Sequence, residues 1–133
     1  MTDSVLPAAN LVDIEVVNLT NTAGVSNVTV QFQAAAVAGT ADAIKLTLND
    51  GNAQNITIGN TANAIAGIET VNLVATGANS TANQLNTNLT TLNVAGEKSV
   101  TITTALNATV TKVDASAQTA GGIDIKLTNA GNV

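Results

Sequence analysis

The chain has 133 residues, enough for one domain with its own core, and 62 of them are Ala (23), Thr (21) or Asn (18). It contains no Cys, His, Trp or Tyr, and four basic residues against nine carboxylates give a net charge of −5. The lack of His and Cys excludes Ser–His and Cys–His nucleophile pairs and the ordinary zinc, haem and iron–sulfur sites. Because these exclusions leave little catalytic chemistry, we do not predict an enzyme. Four cations are too few to neutralise the phosphates of a nucleic acid, so we do not predict a nucleic-acid-binding protein. No apolar run is long enough to cross a membrane, so we expect no membrane insertion.

In chain order, the first predicted elements are strands, because apolar and polar residues alternate with a period of two. The alternating runs are 12–16, 28–32, 44–48 and 100–103. The Ala-rich segment 33–43 and the shorter run 62–67 could each form a short helix or a loop. The sequence Asn49-Asp50-Gly51-Asn52 is a turn signal, and with strands at 44–48 and 54–58 it gives the pattern of a hairpin.

An internal repeat with a 21-residue step occupies the second half of the chain. The hexapeptide that begins at Ile68 recurs at Leu89 and Val110, with aliphatic residues at positions one and four and Asn, Asn and Asp at position five. The same step separates Leu85, Leu106 and Leu127, and also Ile102 and Ile123. An earlier hexapeptide at Ile14 matches the copy at Ile68 in five of six positions, but the gap between the two is not a multiple of this step. Coils between these two copies are therefore expected to be longer or to carry insertions.

A repeat of this length built from short strands is typical of a parallel β-solenoid, in which each coil pairs its strands with the coils above and below. Five or six coils stacked at roughly 4.8 Å would form a rod about 25–30 Å long. Two columns of stacked side chains are predicted: an apolar one of Val71, Leu92 and Val113, and a polar one of Asn72, Asn93 and Asp114.

The alternative architecture is a β-sandwich, which seven to nine short strands and a hairpin at 44–58 would suit. Sandwich strands do not recur at one fixed step, so we predict an all-β protein with a parallel β-solenoid of roughly 21-residue coils. We expect residues 1–133 to form a single β-repeat domain of a longer protein. Within it, residues 61–133 would form the regular coils, and residues 1–60 irregular coils or an N-terminal cap.

The segments 42–50, 67–73, 89–96 and 113–117, followed by Gly121-Gly122, resemble the repeat region of bacterial surface-layer proteins. The resemblance is closer to the large calcium-dependent kind that Gram-negative bacteria export by type I secretion. It implies a secreted, self-assembling structural protein of the cell surface, which associates with copies or neighbouring domains of the same protein in a calcium-rich setting. The alternative function is that of a repeat segment of a secreted adhesin, which would bind a surface ligand.

The chain departs from that family because the calcium loop Gly-Gly-x-Gly-x-Asp is absent, and Gly121-Gly122-Ile123-Asp124 is its nearest approach. Candidate calcium ligands must therefore be chosen from residues with carboxylate or amide oxygens, which Ca²⁺ prefers. The candidates are Asn49, Asp50 and Asn52 in the turn, and Asp114 and Asp124, expected on neighbouring corners of one coil. The alternative interpretation of Asn49, Asp50 and Asn52 is an ordinary turn. For Asp114 it is the end of a polar column, and for Asp124 it is a solvated strand residue.

Overall fold

A computed structural model describes residues 27–128, apart from the side chains of residues 52 and 53, and the backbone of residues 5–6 and 13–17. This part of the chain contains eleven strands and one short 3-10 helix. The strands are β1 (Val5–Leu6), β2 (Asp13–Val17), β3 (Asn27–Phe32), β4 (Ala43–Asn49), β5 (Asn52–Asn60), β6 (Thr70–Thr76), β7 (Ser80–Asn86), β8 (Thr91–Gly96), β9 (Val100–Leu106), β10 (Lys112–Gln118) and β11 (Ile123–Leu127).

Consecutive strands alternate between two sheets, and all the strand pairs in the described residues are parallel. The odd sheet has the order β1-β3-β5-β7-β9-β11, and the even sheet has the order β10-β8-β6-β4-β2. The chain therefore winds as a β-solenoid of about four turns. The predicted solenoid is confirmed, and the β-sandwich alternative is wrong because that architecture requires antiparallel sheets.

The hairpin at 44–58, which belonged to the alternative architecture, does not form. Strands β4 and β5 belong to different sheets, so the turn between them is a corner of the solenoid. Asp50 occupies this corner with a positive φ of 57°, a conformation that Asp tolerates better than most residues. The turn predicted at 49–52 is present between β4 and β5. A hairpin turn and a solenoid corner use the same residue types, so the sequence of the turn does not distinguish them.

The column of Val71, Leu92 and Val113 is confirmed, because each of these residues is the register partner of the next in the even sheet. The column extends backwards to Ile44, which pairs with Val71. From β6 to β8, and from β8 to β10 as far as Asp114, register partners in the even sheet are 21 residues apart, because a shorter strand β8 is offset by a longer loop after β9.

The alignment of the hexapeptide at Ile14 with the one at Ile68 is wrong. Ile14 pairs with Leu46, and Leu46 pairs with Leu73, so Ile14 belongs to the column of Leu73, five residues beyond Ile68. The laps before β6 are longer than those of the regular repeat, and loop length sets the register there. The match in letters did not fix the pairing, because Ile68 lies before β6 begins at Thr70, whereas Ile14 lies within β2.

In the odd sheet, the pairing of Leu106 with Leu127 is confirmed, but that of Ile102 with Ile123 is wrong. Ile123 pairs with Val100 and Ile125 with Ile102, whereas Leu127 pairs with Leu106. The number of residues between partners is therefore larger before the register shift at Ile125–Leu127 than after it. The difference between the two separations arises from extra residues in β9 between Ile102 and Leu106.

The core lies between the two sheets and is filled by aliphatic side chains from alternate strand positions. The largest fully buried side chains include Phe32, Ile44, Leu46, Ile58, Leu73, Leu92 and Ile102. Burial of each contributes about 1.5–3 kcal/mol relative to exposure. Of the two Ala-rich segments, 33–43 contains the 3-10 helix Ala34–Val37, whereas 62–67 forms turns and bends.

Candidate functional site

The outer face of the even sheet carries the predicted polar column. Asn72, Asn93 and Asp114 are register partners, which confirms their stacking. Asn93 Nδ2 donates a hydrogen bond of 2.8 Å to Asn72 Oδ1, so two amides form the bonded part of the column. The Asp114 carboxylate is bonded within its own strand instead, because a bulge follows it.

At this bulge the register of β10 against β8 shifts between Asp114 and Ala117. Asp114 Oδ1 accepts hydrogen bonds from Ser116 N at 3.0 Å and from Ser116 Oγ at 2.6 Å. Lys112 Nζ lies 3.3 Å from Asp114 Oδ2. The Ser116 hydroxyl, its backbone N–H and then Lys112 favour the charged form and lower the pKa of Asp114 from 3.8 to about 2.

Replacing Ser116 with Ala should raise the pKa of Asp114 from about 2 towards 3.8, because the hydroxyl is the largest cause of the shift. A lowered pKa means that the stabilisation by these contacts is complete above about pH 4 and is lost as the pH falls through about 2. The measurement is an NMR titration of the Asp114 carboxyl carbon. Ser99→Ala is the matched control, since Ser99 accepts a bond from Gly122 N at the far corner. An unchanged pKa in Ser116→Ala would contradict the assignment.

The outer face of the odd sheet carries a second polar column that the sequence did not reveal. Asn55 Nδ2 donates to Asn27 Oδ1 at 2.9 Å, and Asn83 Nδ2 donates to Asn55 Oδ1 at 2.6 Å. Thr103 Oγ1 continues the column with a bond of 3.1 Å to Asn83 Oδ1. Two of its steps span 28 residues, so a search at a step of 21 could not find it, although a search for Asn at a step of 28 would have done so.

A groove of about 450 Å³ lies on the outer face of the even sheet, and we call it the even-sheet groove. Its polar lining consists of Asn72, Asn93, Lys112, Asp114 and Ser116. Its apolar lining includes Val74 and Ala95, which occupy neighbouring register positions on β6 and β8.

The candidate calcium ligands lie apart. Asp114 is in β10 of the even sheet and Asp124 is in β11 of the odd sheet, so they are not on neighbouring corners. Asp50 is exposed at the corner between β4 and β5, and the side chain of Asn52 lies outside the described residues. The amide of Asn49 packs so closely over Gly77 in the next coil that a Cβ there would approach its oxygen to well under 3.0 Å.

Among residues 27–128, no three side chains of His, Cys, Asp or Glu gather into a group that could hold a metal ion. Both carboxylate oxygens of Asp114 already have partners in Ser116 and Lys112. Calcium binding stays a prediction.

Among the described residues, the end of the core beside β10 and β11 is exposed. Strands β10 and β11 are the last strands of the even and odd sheets, so each presents one backbone edge without a partner strand among the described residues. An apolar cavity of about 280 Å³ opens there, lined by Val113, Ile123, Ile125 and Leu127. Ile123 is 41 % exposed, more than the other residues that line this cavity.

The chain matches no family model, no curated protein and no solved structure. In the described part of the chain, no helix has the length and apolar character needed to span a membrane. The architecture defines the chain as a β-solenoid, and its function must be inferred from its surfaces.

Proposed function

We propose that the chain is a structural, self-assembling repeat domain of a bacterial surface-layer lattice, located outside the cell on its surface. The observation that carries this proposal is the open end formed by β10 and β11. Unpaired strand edges and exposed apolar residues form a template for further strands, which a neighbouring domain of the same protein or a second copy of the chain would supply. Assembly would bury Ile123 and extend both sheets across the contact.

The solenoid suits a mechanical role because its strands are paired along the whole stack and its polar columns add side-chain bonds between coils. Only 10 % of its residues are charged, so side-by-side packing meets little electrostatic resistance. The alternative of a secreted adhesin would be expected to offer exposed aromatic anchors to a protein ligand. The single aromatic residue, Phe32, is 1 % exposed, which favours the structural role.

Calcium forms part of the proposal as an ion that promotes assembly. Nine carboxylates outnumber four basic residues, so a divalent cation would join outward carboxylates of neighbouring copies. The candidate ligands remain Asn49, Asp50, Asn52, Asp114 and Asp124.

The test is light scattering and sedimentation of the chain over a range of protein and calcium concentrations. We expect ordered assembly that calcium promotes and that Ile123→Lys abolishes, since a buried, unpaired ammonium at the contact is costly. Thr104→Lys is the control, because it adds the same charge at an exposed position of β9 away from the end.

A wild-type chain that stays monomeric at every concentration would overturn the proposal. Equal assembly of Ile123→Lys and the wild type would show that the open end is not the contact. Loss of assembly in Thr104→Lys alone would indicate side-by-side packing instead.

A further inference from the structure

We propose that β11 pairs with β11 of a second copy of the chain, in antiparallel orientation about a two-fold axis at Ile125. This inference deepens the proposed function and rests on it, because it names the partner and the geometry of the contact at the open end. The observations that carry it are the free edge of β11, the order of apolar and charged residues along that strand, and the short strand at the opposite end of the odd sheet.

Strand β11 (Ile123–Leu127) is the last strand of the odd sheet, and among the described residues only β9 pairs with it. Its residues alternate between two sides of the sheet. Ile123, Ile125 and Leu127 line the apolar cavity at the open end, whereas Asp124 and Lys126 are exposed on the outer side. A partner strand must therefore be apolar on the core side and carry both signs of charge on the outer side.

The sequence of β11 complements itself when one copy is reversed against the other. An antiparallel pair centred on Ile125 places Asp124 directly opposite Lys126 of the second copy, and the two-fold axis repeats this contact. On the core side, Ile123 lies opposite Leu127 of the second copy, and Ile125 lies opposite its own equivalent. Opposite charges and apolar side chains in directly opposed positions both stabilise a strand pair.

Other registers do not satisfy both sides of the strand. A pair centred on Asp124 places two carboxylates opposite each other, and a pair centred on Lys126 does the same with two ammonium groups, which is destabilising. A slip of one residue between the strands moves charged side chains to the core side. The register centred on Ile125 is therefore the one that the sequence of β11 selects.

The charges of β11 have no partner within one copy. The register partner of Asp124 on β9 is Thr101, which is uncharged. Neither Asp124 nor Lys126 forms an ion pair with another described residue. Both side chains can therefore form the pairs across the two-fold axis without breaking a contact that already exists.

The same axis joins the two cores. A two-fold axis perpendicular to the sheet keeps the core side of one copy on the core side of the other. The cavities of about 280 Å³, each lined by Val113, Ile123, Ile125 and Leu127, then face each other across the axis. Each copy covers apolar side chains of the other, and this burial is the main favourable term in the association.

Head-to-tail stacking would use a poorer partner for β11. The opposite end of the odd sheet is β1 (Val5–Leu6), which has two residues, so a parallel contact with it would pair fewer than half of the five residues of β11. The antiparallel contact pairs all five. Because a two-fold contact closes after two copies, the proposed lattice would grow from such dimers through a second contact.

The first experiment is sedimentation equilibrium of charge variants without calcium, from about 1 µM to about 1 mM, which spans the affinities expected of a small contact. Lys126→Asp and Asp124→Lys each place like charges opposite each other twice, so each should weaken dimerisation at least about tenfold. An equimolar mixture of the two variants should form heterodimers, because each Asp then faces a Lys. The matched control is the double variant Asp124→Lys/Lys126→Asp, which should dimerise like the wild type because it restores both pairs at the same net charge.

A disulfide cross-link tests the register. The chain has no Cys, so the cysteine of Ile125→Cys can form a disulfide only with a second copy. Directly opposed residues have Cα atoms about 4.5–5.5 Å apart, which a disulfide can bridge. In the control Ile123→Cys the two equivalent positions lie about 13 Å apart along the strands, which is too far. With glutathione disulfide as the oxidant, Ile125→Cys should give covalent dimers at least about tenfold faster than the control.

Equal dimerisation of Lys126→Asp and the wild type would overturn the proposal. So would a mixture of the two charge variants that stays monomeric although each has a native-like circular dichroism spectrum, or equal cross-linking of the two cysteine variants. Open-ended growth that ignores the charge variants would overturn the two-fold contact and leave the proposed function standing. A wild-type chain that is monomeric with and without calcium would overturn both.

Discussion

Replacing Gly59 with Ala should destabilise the solenoid by about 3 kcal/mol or more. A Cβ on Gly59 would lie far closer than 3.0 Å to the carbonyl carbon and oxygen of Ala64 and to the N of Ile65. These are backbone atoms, so the clash cannot be relieved by rotating a side chain. The segment after β5 folds back over this position, and only a residue without a side chain leaves room for it.

The segment that would have to move is held by Asn60, whose side chain is almost completely buried. Asn60 Oδ1 accepts bonds from Ala62 N at 2.9 Å and Asn63 N at 2.8 Å, and its Nδ2 donates to Ala66 O at 3.0 Å. Relief of the clash would therefore break bonds to a buried amide, which adds the cost of leaving polar groups unpaired.

The free energy of unfolding can be measured by urea titration with far-UV circular dichroism, since the chain has no Trp or Tyr for fluorescence. Gly122→Ala is the matched control, because a Cβ there would meet no atom within 4 Å. It should change the stability by no more than about 0.5 kcal/mol. Similar unfolding midpoints for the two variants would contradict the close approach at Gly59.

The sequence allowed the solenoid to be predicted because inward and outward positions alternate within each strand and the even sheet keeps one step from β6 to β10. Val71 and Leu92 therefore stack as expected. Where the number of residues per coil varies, similarity between short segments did not predict which residues stack. Ile14 entered the wrong column, because a match of five letters does not reveal the longer laps between β2 and β6, which set the register.

The two polar columns and the even-sheet groove also differ in whether the sequence predicts them. The bond between Asn72 and Asn93 could be predicted, since they share the 21-residue step. The column through Asn55 and Asn83 was missed, because its first laps are longer than the 21-residue step that was searched. The even-sheet groove depends on the bulge after Asp114, which is a property of pairing with β8 and has no signature in the sequence of β10 alone.

Replacing Leu92 with Ala should cost about 2–5 kcal/mol, the second large effect expected. Leu92 is 0 % exposed and stacks between Val71 and Val113, so its truncation interrupts an apolar column at the middle of three regular coils. Strand β8 is paired on both sides, with β6 and β10, so its backbone cannot collapse into the space, and a cavity penalty adds to the lost transfer free energy.

Leu127→Ala is the matched control, because it makes the same chemical change in a half-buried residue at the open end. Urea titration should give a loss for Leu127→Ala that is less than half of the loss for Leu92→Ala. Amide hydrogen exchange adds a spatial test: each coil contacts only its neighbours, so Leu92→Ala should speed exchange most in β6, β8 and β10. Equal losses in the two variants would mean that the stability does not reside in the stacked columns of the core.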